Sequence, residues 1–159
     1  MYEVRWLTPD QLRAWIRFEA VVELLPTVLD SQLQRDSALT HFEYVVLAKL
    51  SESPDQVLRM TALAATTNST LPRLSHVVSR LESRGFVERM PCPGDRRATN
   101  AHLTDEGRAK VVAAAPGHVN TVREHVIDLL SDEQVEQLDG IMATLLQRLD
   151  PTNTLRILP

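Results

Sequence analysis

The chain has 159 residues, 43% hydrophobic, 24% charged and only 4% aromatic, which excludes a disordered polymer and fits one ordinary domain or one small domain with helical arms. Its 17 basic and 21 acidic residues leave a net charge of −4, which excludes polyanion binding by bulk charge but not by a local basic patch. Apolar runs fall far short of the roughly 18–20 residues of a membrane span. Glu3, Arg5 and Asp10 interrupt the place of a secretory leader, and the single Cys92 cannot form an internal disulfide, so a soluble protein of the reducing cytoplasm is expected.

The first predicted helix opens on a Thr8-x-x-Gln11 capping box with Pro9 at its first position. Leu12, Trp15, Ile16, Val22, Leu25 and Leu29 then form an apolar stripe, broken only by Glu19, and Pro26 is expected to kink the helix rather than end it. A second box, Thr40-x-x-Glu43, opens a short helix that ends before Ser53-Pro54. Val57 to Met60 can pair as an edge strand, and Thr61 is expected to cap a helix over 62–67. After the turn Asn68-Ser69, a helix runs from about Leu71 to Arg84, where Gly85 stops it. Phe86 to Met90 is strand-like, Pro91 to Asp95 has turn chemistry, and Thr99 to Leu103 can return as the partner strand. Thr104 caps a long helix in which Pro116-Gly117 predicts a kink or a break. Ser131-x-x-Gln134 opens a last helix that Pro151 closes.

The order at the centre is helix, turn, helix and hairpin, the order of a winged helix. At about 100° per residue, Leu71, Leu74, Val78 and Leu81 share one face of the 71–84 helix. Arg73, His76 and Arg80 fall within roughly 60° of one another on nearly the opposite face, flanked by Ser75 and Ser79, with Ser69 and Thr70 at the N-terminus. Guanidinium groups that can grip guanine, beside small hydroxyls that can reach phosphates or base edges, suit a helix laid in the DNA major groove. From Arg73 to Arg97 there are six Arg against Glu82, Glu88 and Asp95, a net of +3, so the rest of the chain carries −7. The hairpin tip would hold Arg96 and Arg97 on a thin projection suited to a narrow minor groove, with Asp95 orienting one of them. Taken alone, a solvated polar helix face and an ordinary hairpin turn would explain these features; their order along the chain argues for a binding surface.

The run RLSHVVSRLESRGFVER from Arg73 to Arg89, then Asp95-Arg96-Arg97, then Leu103-Thr104-Asp105-Glu106-Gly107, resembles the MarR family of bacterial transcription regulators. The resemblance implies a mainly α fold with a small β-hairpin wing, in which a winged helix-turn-helix carries N- and C-terminal dimerisation helices. It implies 37–104 as the DNA-binding domain, 1–36 and 105–150 as the dimerisation region, and 151–159 as a tail. The implied partners are a second copy of the chain, a pseudo-palindromic double-stranded operator and a small aromatic or anionic effector. Carried over, DNA contacts fall on Ser69, Thr70, Arg73, Ser75, His76, Ser79 and Arg80 and on the wing residues Arg96 and Arg97, with Asp95 in support. His76 stands where relatives often have a basic side chain. Effector contacts would be sought at Trp15, Phe18, His41 and Phe42, which could equally pack the junction. The terminal helices independently ask for a partner, because a winged domain of roughly 60–70 residues cannot cover all their apolar stripes.

Five histidines lack the spacing of a metal motif, and neither a metal nor a cofactor is expected. Cys92 has no resolving cysteine beside it and reads as an inert thiol. No nucleophile elbow, P-loop or dinucleotide fingerprint is present, so the expected function is not enzymatic. The expectation is a dimeric, ligand-modulated transcription regulator, a repressor in the simplest case. The alternative is a winged-helix protein-interaction module that has lost DNA binding.

Overall fold

A computed structural model describes residues 4–156, including every side chain there except that of Arg96. The first helix, α1 (Pro9–Ser37), begins where the capping box predicts: Thr8 Oγ1 accepts from the Gln11 amide at 3.3 Å, and Gln11 Oε1 accepts from the Thr8 amide at 2.9 Å. It continues through Pro26 and ends at Ala38 in the left-handed region. Helix α2 (His41–Ser51) opens on the Thr40–Glu43 box. Strand β1 (Val57–Arg59) follows, and α3 (Met60–Thr66) starts directly from it. The expected Thr61 cap is therefore corrected: Arg59 holds the cap position without a side-chain cap, because the strand leads into the helix with no intervening turn.

Asn68 adopts φ +46°, and the Ser69 and Asn68 amides donate back to the Ala64 and Ala65 carbonyls, closing the turn of the helix-turn-helix. Helix α4 (Leu71–Ser83) ends in the same way, with Gly85 at φ +76° and the Phe86 and Gly85 amides bonded to the Leu81 and Glu82 carbonyls. Strands β2 (Val87–Cys92) and β3 (Asp95–Leu103) are antiparallel and pair through Cys92 and Asp95 across Pro93-Gly94. The return strand thus starts four residues before the expected Thr99. The reason is the Pro-Gly pair, whose ring-fixed φ and glycine φ of +83° turn the chain in two residues. β1 pairs with β3 on its other side, giving the order β1-β3-β2.

Helix α5 (Asp105–His125) is continuous, so the expected break at Pro116-Gly117 does not occur. Pro116 forfeits a bond to the carbonyl of Val112, a residue exposed enough for solvent to reach the freed carbonyl. Gly117 lies where α5 crosses α1, and a Cβ there would stand 3.0 Å from Gln32 Nε2. Helix α6 (Asp132–Leu149) has its Ser131 box and no buried residue.

Leu33, Leu39, Val46, Leu47, Leu63, Leu74, Val78, Leu81 and Leu103 form the main core, with Val111 and Ala114 of α5 against it. This core fixes α4 and the hairpin to α2, α3 and the start of α5. By contrast, Leu12, Trp15, Ile16 and Val22 of α1 and Ile141, Leu145 and Leu149 of α6 are exposed. Two apolar helix faces are therefore uncovered in the protomer. Among the described residues, no helix is long and apolar enough to cross a membrane.

Candidate nucleic-acid interface

Helix α4 buries Leu74, Val77, Val78 and Leu81. Leu71, expected on that face, is instead 43% exposed, because it is the first helical residue and projects beyond the core. Thr70 caps the helix by accepting from the Arg73 amide at 3.4 Å, and Ser69 Oγ donates to the Thr70 carbonyl. These two hydroxyls fix the N-terminus of α4.

The arginines of the polar face are held by specific partners. The Arg73 guanidinium lies over the Phe42 ring, 4.6 Å from its centroid. Arg80 Nη2 is 2.9 Å from Glu43 Oε1, and Arg84 Nη1 is 3.7 Å from Glu43 Oε2. Arg84 also donates to the Ala38 carbonyl at 2.8 Å and covers the Phe86 ring. Glu43 is 1% exposed, and its Oε2 accepts from the Thr40 amide at 2.8 Å. One buried carboxylate thus caps α2 and anchors two arginines at the C-terminal half of α4.

Arg89 of β2 was outside the expected site, yet it joins the hairpin to α4. Its Nη1 donates to Glu82 Oε2 at 3.0 Å, and its Nη2 reaches the Ser75 carbonyl at 2.7 Å, Ser75 Oγ at 3.2 Å and Ser79 Oγ at 2.9 Å. Ser75 and Ser79, expected among the DNA contacts, thus also hold Arg89 within the protein. Only the fold brings Arg89 beside Glu82, across the Gly85 turn.

At the hairpin, Asp95 Oδ1 accepts from the Arg97 amide at 3.0 Å and Oδ2 pairs with Arg59 Nη2 at 3.2 Å. The expectation that Asp95 orients an arginine side chain of the tip is corrected for Arg97: it holds the Arg97 backbone, and its side-chain partner is Arg59 of β1, which the β1–β3 pairing brings alongside. The Arg96 side chain lies outside the described residues. Among those described, the side chains of His76 and Arg97 have no hydrogen-bond, ion-pair or ring partner and are exposed. Ser75, Asp95 and Arg97 line a common cavity.

The four expected effector residues fall into two groups. Trp15 and Phe18 neighbour each other on exposed α1, with ring centroids 6.2 Å apart. His41 lies at the start of α2, where its amide donates to Asp30 Oδ1 at 2.7 Å. Twelve to fifteen residues of helix separate Asp30 from Phe18 and Trp15, about 18–22 Å, so one protomer does not gather the four around one pocket. Phe42 lies beneath Arg73 instead. His41 stacks on His118 of α5 at 5.8 Å, and Tyr44 packs on His118 at 4.6 Å. Burial pushes the pKa of both histidines down; Asp30 partly opposes this at His41, and His41 adds to it at His118. Among the described residues, no group of three or more His, Cys, Asp or Glu could hold a metal ion.

The MarR family model matches residues 39–99. The crystal structure of Sco3205, a MarR family transcriptional regulator from Streptomyces coelicolor solved in complex with DNA, is 45% identical, with a TM-score of 0.89 over 95% of this chain and 94% of that one. AbsC, a MarR family transcriptional regulator from the same organism, is 38% identical, with a TM-score of 0.87 over 94% of this chain and 100% of that one. The transcriptional repressor YetL of Bacillus subtilis (strain 168) is 26% identical over 137 residues, 80% of this chain and 81% of the relative. With its three-stranded winged helix and this likeness over nearly its full length, the chain belongs to the MarR family of DNA-binding transcription regulators.

Proposed function

We propose that the protein acts as a homodimer on a pseudo-palindromic DNA operator, with α4 in the major groove and the β2–β3 hairpin in the adjacent minor groove. The observation that carries this is the pairing of one surface with another. Exposed His76 and Arg97 stand on the helix and wing that the Arg89 clamp joins, while the apolar faces of α1 and α6 remain uncovered. Residues 1–36 and 105–150 form the dimerisation region in this proposal, 37–104 the DNA-binding domain and 151–159 a tail. Two copies related by a two-fold axis would set their recognition helices about 34 Å apart, one turn of DNA.

Arg73, His76 and Arg80 serve the major groove, and Arg96 and Arg97 the minor groove. Ser69 and Thr70 fix the helix start near the backbone, while Ser75, Ser79 and Asp95 act by holding Arg89, Arg59 and the Arg97 amide. Repression is favoured by the likeness to YetL. The protein has no catalytic role here and works in the cytoplasm, where it meets the chromosome. A small aromatic or anionic effector would release DNA by binding more tightly to a dimer with altered helix spacing. Trp15 and Phe18 can share such a site with His41 and Phe42 only if a partner's α1 supplies the aromatic pair.

Sedimentation velocity of the protein alone and with a duplex tests the assembly. Two protomers are expected in both species, and binding should weaken steeply with salt. Arg97→Ala should keep the dimer while weakening DNA binding and flattening its salt dependence. A monomer that binds no duplex would refute the proposal.

A further inference from the structure

A duplex has a sugar–phosphate strand between each major groove and the adjacent minor groove. With α4 in one groove and the hairpin in the other, that strand must cross the gap between them. The gap contains a cavity of about 300 Å³, ample for one phosphodiester. Ser75 and Leu71 of α4 bound one side, Arg97 and Thr99 of β3 another, and Arg59 and Thr61 at the β1–α3 junction a third.

Arg59 lies outside both the recognition helix and the wing tip, and β1 brings it here by pairing with β3 at Arg59 and Asn100. Its guanidinium is fixed by Asp95 at 3.2 Å and touches Cys92 Sγ at 3.5 Å. A guanidinium has five N–H donors, so these contacts orient the group without exhausting it. Asp95 offsets one of the two charges of Arg59 and Arg97, while Arg89, also on the wall, has its own partner in Glu82. One positive charge remains over, beside the hydroxyls of Thr61 and Thr99.

We propose that this cavity seats a backbone phosphate of the operator, with Arg59 as its principal ligand and Asp95 as the group that aims it. The proposal rests on the DNA-binding reading above and adds a contact from β1. Its role is to set register rather than to read sequence.

The test uses the full-length protein and an operator duplex obtained by selection. Arg59→Gln should weaken binding several-fold at moderate salt, lower the slope of log affinity against log salt by about 0.9 for one lost phosphate contact, and select the same sequence. Arg59→Lys should restore the slope, which a purely structural loss would not allow. Single methylphosphonate replacements should then reveal one linkage per half-site, between the α4 contacts and the flanking minor groove, where wild type loses affinity and Arg59→Gln loses no more. An unchanged slope in Arg59→Gln, equal slopes in the Lys and Gln variants, or equal sensitivity of wild type and Arg59→Gln at that linkage would overturn the phosphate seat alone. A wild-type protein with no salt-sensitive duplex binding would overturn the DNA-binding reading with it.

Discussion

Glu43 and Arg80 form an ion pair with sharply unequal exposure: the carboxylate side chain is 1% accessible and the guanidinium side chain 52%. Oε1 lies 2.9 Å from Nη2 without the alignment of a hydrogen bond, so their attraction is chiefly charge on charge. The carboxylate therefore tempers and holds in place an arginine that the proposal assigns to the major groove. Glu43→Gln keeps an acceptor for the Thr40 amide but removes the charge. Stability should fall by about 1–3 kcal/mol, less than for a fully buried pair because Arg80 is half exposed. DNA binding should become tighter, more salt-dependent and less selective as Arg80 is released. Titrations at several salt concentrations check this, and weaker binding at every salt would contradict it.

Arg89 makes the wing and the recognition helix one body. Arg89→Met leaves the Ser75 carbonyl and the Ser79 hydroxyl without that donor, although Glu82 still accepts from the residue 89 amide at 3.1 Å. Stability is expected to fall by about 1–3 kcal/mol. The specific signature is in the hydroxyl-radical footprint: protection of the flanking minor groove should fade while the major-groove half-sites stay protected. Uniform loss of both would mean that the clamp only stabilises the domain.

Gly107 sets how α5 leaves the winged domain. A Cβ there would stand 2.1 Å from the Phe86 carbonyl oxygen and 2.8 Å from Leu103 Cδ1, while Thr104 Oγ1 donates to the Gly85 carbonyl at 2.6 Å and caps α5 at the Gly107 amide. Backbone cannot yield as a side-chain end can, so Gly107→Ala should cost about 1–3 kcal/mol or more and tilt α5 against the wing. Chemical denaturation would check the loss, and an unchanged midpoint would refute the close approach.

His41 and His118 meet where α2 packs against α5, near Asp30 of α1 and Tyr44, and His118 Nδ1 is buried without a partner among the described residues. Both imidazoles have pKa values below that of the unfolded chain, about 6.5, so the unfolded state takes up more protons in mild acid. Their contribution is present in full above that value and is lost as pH falls below it. Thermal unfolding between pH 7.5 and 5.0 should therefore show a shallower acid decline for His118→Gln than for wild type. Parallel declines would exclude the pair as its source.

The parts of the fold legible in the sequence are those fixed by nearby residues. Thr8, Thr40, Thr104 and Ser131 cap the helices they precede, and Gly85 ends α4, because each acts within a few residues of itself. Pairing across the sheet was less legible: Arg59 meets Asp95 only through the β1–β3 register. Helical angles place Arg73, His76 and Arg80 on the exposed face of α4 but misplace Leu71, and they do not reveal that Glu43 or Arg89 engages Arg80, Ser75 and Ser79. Glu82 and Arg89 flanking the glycine stop were the available signal, an acid and a base that a tight turn can bring together. The effector set divides because aromatic chemistry groups residues by type, whereas some 18–22 Å of helix separates them in space.

The central claim is DNA readout by a symmetric dimer. Its most direct measurement is selection of operators by the purified protein from a random duplex pool at physiological salt, with sequencing of the bound fraction. The expected result is a pseudo-palindrome whose half-sites are centred one helical turn apart. Recovery of no motif, with only weak salt-labile binding before and after refolding free of ligand, would contradict the claim and favour a winged-helix interaction module.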